Sequence, residues 1–356
     1  MKSQVEADVD AIIEASATRL FVRHGRVQNN ARRREPLGEA GYDADGWNEI
    51  QEAGLTCAML EERHGGAGMR NGFNVARLAA ANALPFPLVE TMAANWLLVA
   101  AGLEPSLDHA LALAEQPLQL ERASGGWRLF GEARAVPWGR SCDIVGVAVH
   151  RAQLYLVRCS HGRFASLPGI NAAGEPRDHC KFDCVIPADR LAPVPQSCGP
   201  RPVVLLGAAL RSVQIGGAGR SALTLTLRHA QERRQFGRAI GEFQAVQQLL
   251  AFMATHAAAG CAAAELAVEG AANSLSDRPI GAAKMRAGEA AGAIAAAAHQ
   301  VVGAIGFTRE HPLHTLTHRL WSWREEFGSE SAWAIALGRQ LAAAGGSALW
   351  SAITAI

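Results

Sequence analysis

Three histidines have a spacing that could hold a metal ion. His311, His314 and His318 recur at intervals of three and four residues, which would place them on one face of a helix. Pro312 lies among them, where it would disturb such a helix. We therefore favour a polar helix face, and the sequence predicts no metal site here.

The cysteines are a second set of residues that could bind metal or form disulfides. Cys180 and Cys184, with His179 beside them, make at most half of a zinc site, and the alternating pattern of residues 182–185 predicts a strand instead. The total is odd and follows no disulfide framework, so we expect reduced, structural thiols. The seven cysteines lie at positions 57, 142, 159, 180, 184, 198 and 261.

Composition limits the classes of partner. The chain has 356 residues, of which 49% are hydrophobic and 19% charged, as in globular proteins of two or three domains. Its net charge is +1 and the basic residues are dispersed, so we expect neither nucleic acid nor an acidic membrane as a partner. The densest basic run, Arg32-Arg33-Arg34 beside Glu35, predicts a solvated turn.

The sequence predicts a soluble cytoplasmic protein. The N-terminal residues are polar and acidic, unlike the basic and then apolar pattern of a signal peptide. We expect no stretch of about 18 or more strongly apolar residues, because the alanine-rich run at 290–298 is too short and too weakly hydrophobic to span a bilayer.

The periodicity of apolar residues changes twice along the chain. Helical patterns run from Asp8 to Val99, interrupted by the glycines at 65–68, and short β-rich runs follow at 127–130, 144–149 and 153–157. Prolines between 193 and 202 exclude both a helix and a central strand, so they mark a linker. Long apolar helices come next, the last of them predicted from about Glu325 to Leu349.

These segments predict a mainly α protein with a small β domain. The predicted order is an N-terminal helical domain at 1–105, a middle β domain at 106–192 and a C-terminal four-helix bundle at 203–356.

Three motifs carry a resemblance to a known family. Residues 232–240 read E-R-R-Q-F-G-R-A-I, followed at 243–247 by F-Q-A-V-Q, and residues 300–312 read Q-V-V-G-A-I-G-F-T-R-E-H-P. With the turn E-E-R-H-G-G-A-G at 61–68, they resemble the signatures of the acyl-CoA dehydrogenase family, in the family's order. The resemblance extends over nearly the whole chain and implies that family's helical, β and helical architecture.

The resemblance implies an FAD cofactor and an acyl-CoA substrate. A guanidinium holds anionic oxygens through charge-assisted hydrogen bonds, so Arg233 would meet the FAD pyrophosphate. Taken alone, Arg233 is more typical of a surface charge at a helix end, and Phe236 of a core residue. The positions that the resemblance assigns to FAD are Arg233, Phe236, Gln244, Gln300, Gly303 and Ala304.

The same resemblance implies an oligomer. In the family these groups reach the FAD of a neighbouring subunit, so we expect a dimer or tetramer, either homomeric or heteromeric. An electron-transferring flavoprotein is a further possible partner.

The family's catalytic carboxylate is missing from its usual place. The family removes the α-proton of an acyl-CoA with a carboxylate while the flavin accepts the β-hydrogen as hydride. Counting without gaps from Gly306 puts Phe327 at that position, and the alternative position near Gly207 is not acidic either. Glu325 and Glu326 adjoin the lost site; Glu326 is the candidate for a displaced base, and a solvated helix charge is the alternative.

The β domain departs from the family as well. Its Thr-Glu-Pro-x-x-Gly-Ser-Asp segment has no counterpart before residues 114–117, and residues 135–137 replace its aromatic-Ile-Thr segment. Trp138 could stack on a flavin, although a tryptophan at a strand end more often packs in the core. The three histidines could instead contact CoA.

Three functions remain open from the sequence. The first is an FAD-dependent dehydrogenase that desaturates the α,β bond of an acyl-CoA thioester with a displaced base. The second is a non-catalytic subunit of a heteromeric acyl-CoA dehydrogenase that completes the FAD site of a partner. The third is a flavin-free acyl-CoA-binding or scaffold protein, which would leave the nucleotide signatures unexplained.

Overall fold

The chain folds into two compact units, which are described separately below. The computed structural model describes residues 4–29, 41–272 and 274–354, so the turn predicted at residues 32–35 lies outside it. The predicted mainly α class with a small β sheet is confirmed. The first unit contains the described residues of Met1–His24, Glu35–Ala76 and Pro85–Gly207, and the second those of Gly25–Arg34, Arg77–Leu84 and Ala208–Ile356.

Among the residues that the structure describes, four α-helices precede the sheet. The carboxylate of Asp43 accepts a hydrogen bond from the Gly46 amide at 3.2 Å and thereby caps the second helix. The glycines after Glu61 end a short helical turn at Gly65, which has a φ of +77°. The helices are α1 (Gln4–His24), α2 (Ala44–Glu52), α3 (Met69–Ala81), whose last turn belongs to the second unit, and α4 (Leu88–Ala100).

A seven-stranded mixed sheet follows in the first unit. Its order is β5-β6-β2-β1-β3-β4-β7, with β1 and β3 parallel and all other neighbours antiparallel. The register shifts between Ala114 and Leu118 on β1, and between Ala133 and Val136 on β2. The strands are β1 (Leu111–Ala123), β2 (Gly126–Pro137), β3 (Asp143–His150), β4 (Gln153–Cys159), β5 (Phe164–Leu167), β6 (Arg177–Ile186) and β7 (Leu191–Pro193).

Prolines lie between the last strand of the sheet and the first long helix. Pro193 ends β7, an edge strand, where the missing amide costs no ladder hydrogen bond. Pro202 is the first residue of α5 (Pro202–Glu232), where its fixed φ suits a helix start and no amide donor is needed.

The second unit is built mainly from helices. After α5 come a hairpin of β8 (Arg234–Gln235) and β9 (Arg238–Ala239), and then the remaining helices. They are α6 (Gln244–Ala272), α7 (Asp277–Val302), α8 (Leu313–Glu325), α9 (Glu330–Ala344) and α10 (Leu349–Thr354).

The prediction of one final helix from about Glu325 to Leu349 is wrong. Helix α8 ends at Glu325, and the next two residues after Glu326, Phe327 and Gly328, have positive φ values of +54° and +96°. Ser329 then caps α9, with its hydroxyl oxygen accepting the Ala332 amide at 3.4 Å. The left-handed turn breaks a stretch whose composition by itself suits a helix.

Among the described residues, two helices have enough length and apolar character to cross a membrane, so the expectation that no such stretch exists is wrong on length and composition. In the apolar 18-residue window of α5, 94% of the residues are buried within the chain, as in a core helix. The corresponding window of α6 is only 28% buried. Helix α6 therefore presents apolar surface outside the chain's own core.

Close helix packing in the second unit depends on Gly217 of α5. A Cβ atom at this position would lie 2.3 Å from the carbonyl oxygen of Arg77, in the last turn of α3. A backbone atom cannot swing aside as a side-chain end can, so no larger residue fits without moving a helix. Gly338 on α9 is the opposite case, because no described atom lies within 4 Å of a Cβ there.

We predict that Gly217→Ala lowers the free energy of unfolding by about 1 to 3 kcal/mol through overpacking. Gly338→Ala should be neutral or stabilise the protein by up to about 1 kcal/mol, because alanine is the better helix former. Urea unfolding of both variants measures the difference. Equal midpoints for the two variants would contradict the close packing at Gly217.

Candidate functional site

Arg233 and Phe236 lie at the hairpin that links α5 to α6. Strands β8 and β9 are joined by the two-residue turn Phe236-Gly237, with φ values of +49° and +81°. Two positive φ values fit the tight turns that match the twist of a hairpin, but phenylalanine pays a steric penalty there that glycine does not. Phe236 is 91% exposed, so its ring gains nothing from this chain's core in return.

The hairpin is braced although its side chains are exposed. The backbone of Arg233 is held at both ends, since its amide donates to the His229 carbonyl at 2.9 Å and its carbonyl accepts the Ile240 amide at 2.8 Å. The guanidinium of Arg238 lies 4.2 Å from the ring centroid of Phe243. The exposed Arg233 side chain therefore projects from a fixed backbone.

The second nucleotide signature lies at the end of α7. Gln300 is exposed in the last turn of that helix, and Gly303 follows with φ +74° and ψ −156°, a region open essentially to glycine alone. Ala304, exposed, begins the next helical turn. Gln244 is the exposed first residue of α6. All six residues assigned to FAD by resemblance are thus at least partly solvent-accessible in this chain.

A stack of rings supports the Gln300 segment, and sequence reasoning missed it. His299 is 8% exposed, and its ring lies nearly parallel to those of Phe307 and Trp321, with centroids 3.8 Å and 5.6 Å away. Its Nε2 lies 2.8 Å from the Thr317 hydroxyl. Burial, and then the nearby His318 and His314, lower the pKa of His299 to about 4. The ring is therefore neutral at pH 7.

The three histidines flagged by spacing share the α8 region but do not converge. The Nδ1 atom of His314 lies 2.7 Å from the His311 carbonyl, and the His314 and His318 rings are 5.9 Å apart at 74°. Within residues 4–29, 41–272 and 274–354, no group of three or more His, Cys, Asp or Glu side chains is placed to hold a metal ion.

Glu326, the candidate base, is held in an ion pair. Arg211 on α5 is 2% exposed, and its Nε donates to Glu326 Oε2 at 2.8 Å. Arg211 also donates to the side-chain carbonyl of Gln214. Glu326 keeps a side-chain exposure of 16%, in contrast to Glu325, which is 64% exposed beside Arg324. The carboxylate is therefore partly accessible but bound to a fixed cation.

Phe327, to which counting from Gly306 assigns the family's base position, is buried within the turn. It is 4% exposed, and the Arg211 guanidinium lies 5.5 Å from its ring centroid. The Trp333 indole N–H donates to the Phe327 carbonyl at 3.0 Å. The alternative base position, Gly207, is buried in α5. Neither position carries a group that can accept a proton.

A buried lysine fixes the same turn. The Nζ of Lys284 on α7 donates to the carbonyls of Arg324 at 2.7 Å and Gly328 at 2.8 Å, on either side of Glu326 and Phe327. Burial lowers the pKa of Lys284 to about 8, against the opposing effect of the nearby carboxylates. Lys284 is thus a positioning residue that the motifs did not reveal.

In the first unit, Trp138 is packed against protein. It is 3% exposed, its indole N–H donates to the Gly41 carbonyl at 3.3 Å, and Arg177 lies 5.3 Å from its ring centroid. The segment at 114–117 forms the irregular part of β1, where Gln116 accepts the Arg134 amide at 2.8 Å. These contacts favour the packing interpretation of Trp138.

Known proteins resemble this chain over most of its length. The family model described as "Acyl-CoA dehydrogenase, C-terminal domain" matches residues 206–335. The chain is 30% identical over 279 residues to the acyl-CoA dehydrogenase IpdE2 of Mycobacterium tuberculosis, covering 78% of this chain and 80% of the relative. It is 27% identical over 305 residues to the 3-sulfinopropanoyl-CoA desulfinase of Paraburkholderia xenovorans, covering 75% and 72%.

The fold is also shared with a solved complex. A chain of the ChsE4-ChsE5 complex from Mycobacterium tuberculosis superposes with a TM-score of 0.81 at 21% identity, covering 96% of this chain and 98% of that one. At this level of identity the likeness concerns the fold alone.

The lowered pKa of Lys284 gives a stability prediction with a definite sign. The pKa of Lys284 is 10.5 in the unfolded chain and about 8 in the folded chain, so the folded protein loses this proton first as the pH rises. The cost of burying the lysine charge is therefore lost between pH 8 and 10.5. The wild type minus Lys284→Met difference in unfolding free energy should therefore grow by about 3 kcal/mol from pH 8 to 10.5.

Urea unfolding of both proteins at several pH values measures this difference. Lys181→Met, which removes an exposed lysine paired with Glu132 at 3.1 Å, controls for the loss of a lysine. A difference that stays flat with pH would show that burial does not destabilise the Lys284 charge.

Proposed function

Because this chain belongs to the acyl-CoA dehydrogenase family, we propose that it is the non-catalytic chain of a heteromeric acyl-CoA dehydrogenase and completes the FAD site of a catalytic partner. The observation that carries the proposal is the buried Phe327 at the base position. The shared fold with one chain of a two-protein complex, ChsE4-ChsE5, supports a heteromeric assembly.

Proton abstraction is the step that this chain cannot perform by the family's usual route. The α-proton must pass to a base within hydrogen-bonding reach, and a phenyl ring has no lone pair to accept it. Glu326 is the nearest carboxylate in sequence, but a proton at its Oε2 would displace the hydrogen bond from buried Arg211. That would remove the negative charge that Glu326 presents to a guanidinium whose side chain is only 2% exposed.

The exposed signature residues fit a dinucleotide held largely by another chain. Arg233 would pair with the pyrophosphate, Phe236 and Gln244 would contact the nucleotide half, and Gln300 with the Gly303 backbone would complete the pocket. FAD, when bound, supplies the hydride acceptor. An electron-transferring flavoprotein would then be the oxidant of the assembled enzyme.

The exposed apolar surface supports an oligomer. Phe236 and the poorly buried window of α6 lie next to each other along the chain, and exposed apolar surface of this kind is typical of protein interfaces. A partner that covers it would offset the strain of the Phe236 turn.

We predict that the purified chain by itself shows little bound flavin and no dehydrogenation of straight-chain acyl-CoA above background. Loss of a general base typically lowers the rate by a factor of about 10² to 10⁴. The tagged chain isolated from its own cells should bring down a homologous chain with the family carboxylate, and this assembly should contain FAD and turn over substrate. Visible absorption and a dye-linked assay measure both. Robust turnover by the chain alone would contradict the proposal.

A displaced base is the second candidate, favoured by the 16% exposure of Glu326 beside the lost site. It predicts that Glu326→Gln lowers kcat of the chain by about 10² to 10⁴, whereas Glu325→Gln, its exposed neighbour, leaves kcat unchanged. Equal activity of the two variants would exclude Glu326 as the base. A chain that binds acyl-CoA without flavin in any assembly would instead indicate the scaffold function.

We predict that Arg233→Ala weakens FAD binding by the assembly roughly ten- to a hundred-fold, because a charge-assisted contact of about 1.5 to 3 kcal/mol is lost. Arg228→Ala is the matched control, since Arg228 lies on α5 five residues before Arg233, is 73% exposed and pairs with Glu232 at 3.8 Å. Flavin release during dialysis measures the effect. Equal retention in both variants would remove Arg233 from the FAD site.

A further inference from the structure

Two thiols of the first unit touch each other. The Sγ atoms of Cys159 and Cys184 lie 3.7 Å apart, although the residues are on β4 and β6. Strands β2, β1 and β3 separate β6 from β4 in the sheet, so the contact is not between neighbouring strands. The tertiary structure alone creates this pair, since the sequence separation is 25 residues.

The two thiols have different access to solvent. Cys159 is 1% exposed, whereas Cys184 is half-buried. The Arg163 guanidinium donates to the carbonyl of Val185, the residue after Cys184, at 3.1 Å. Its positive charge also acts on the Cys159 thiol. Burial, with Cys184 as the second cause, raises the pKa of the Cys159 thiol. Cys184 is therefore the sulfur that a small reagent reaches first.

We propose that Cys159 and Cys184 form an oxidation site, at which a hydroperoxide converts the two thiols into a disulfide. The Cys184 thiol gives up its proton, and the thiolate attacks one oxygen of hydrogen peroxide. The O–O bond breaks, Cys184 becomes a sulfenic acid, and the departing hydroxide takes up the proton to form water. The sulfur of Cys159 then attacks the resulting sulfenic acid, forms the S–S bond and releases a second water. One peroxide is reduced for each pair of thiols oxidised.

The geometry requires a small movement. A disulfide needs an S–S distance of about 2.0 Å, so the sulfur atoms must approach by roughly 1.7 Å. Cys180 on the same strand as Cys184 is fully buried, and its thiol pKa is raised to about 12, first by burial and then by Asp178. It is therefore a poor competitor for the peroxide.

The bond would tie two strands that the sheet does not pair directly. It would close a loop of 25 residues and so reduce the freedom of the unfolded chain. The melting temperature of the oxidised protein should rise by on the order of 5 °C. This inference does not depend on the proposed function. Both cysteines belong to the first unit, whereas the proposed function rests on residues of the second unit.

Peptide mapping of the full chain tests the inference. The reduced protein is treated with hydrogen peroxide, alkylated and digested without reductant, and mass spectrometry locates the linked cysteines. We expect a peptide pair joined through Cys159 and Cys184, lighter by two hydrogens than the reduced pair and released by dithiothreitol. The melting temperature before and after reduction is measured on the same sample.

Single substitutions sharpen the result. Cys159→Ser and Cys184→Ser should each abolish the linked pair, whereas Cys57→Ser, at another buried cysteine of the first unit, should leave it intact. Oxidation of Cys184 to sulfinic acid without a link, or a link through Cys180, would overturn the inference. The mapping uses the wild-type protein, so it stands even if a serine variant fails to fold.

Discussion

The ion pair between buried Arg211 and partly exposed Glu326 is the interaction on which the turn after α8 depends. It joins α5 to the turn after α8, and Lys284 on α7 holds the same turn through two backbone carbonyls. Buried charges are tolerated only when paired and hydrogen-bonded, so these groups fix one conformation of the turn. That conformation buries the phenyl ring of Phe327, the residue to which the sequence resemblance assigns the family's base position.

The turn after α8 and the hairpin between α5 and α6 differ in burial: Phe327 of the turn is in the interior, whereas Phe236 of the hairpin is at the surface. At the turn, the Phe327 ring lies near the Arg211 guanidinium, and the Phe327 carbonyl accepts the Trp333 indole N–H. Replacing Phe327 with a carboxylate would need a new arrangement of buried charge. At the hairpin, Arg233 and Phe236 project outward from a braced backbone. An exposed cation, ring and glycine turn, without a carboxylate at position 327, are what the proposed contribution to a neighbouring subunit's site requires.

Much of the fold follows from sequence, but its exceptions have identifiable causes. Prolines and β-rich runs located the passage from sheet to helix near Pro202, because proline restricts the backbone wherever it occurs. The same reasoning joined α8 and α9, because Phe327 has no visible preference for the left-handed conformation that it adopts. That conformation is maintained by hydrogen bonds from Lys284, 44 residues away from Gly328 along the chain, and from Trp333, six residues after Phe327.

The sequence by itself determined the helical and β segments, the resemblance to the acyl-CoA dehydrogenase family and the absence of a carboxylate at position 327, since each depends on residue type and local order. Tertiary structure alone decided the partners of buried groups. It paired Glu326 with Arg211, hydrogen-bonded Lys284 to the turn, stacked His299 on Phe307 and brought Cys159 into contact with Cys184. Such contacts form because burial forces polar and polarisable groups to find partners among whatever residues the packing brings near, whatever their separation along the chain.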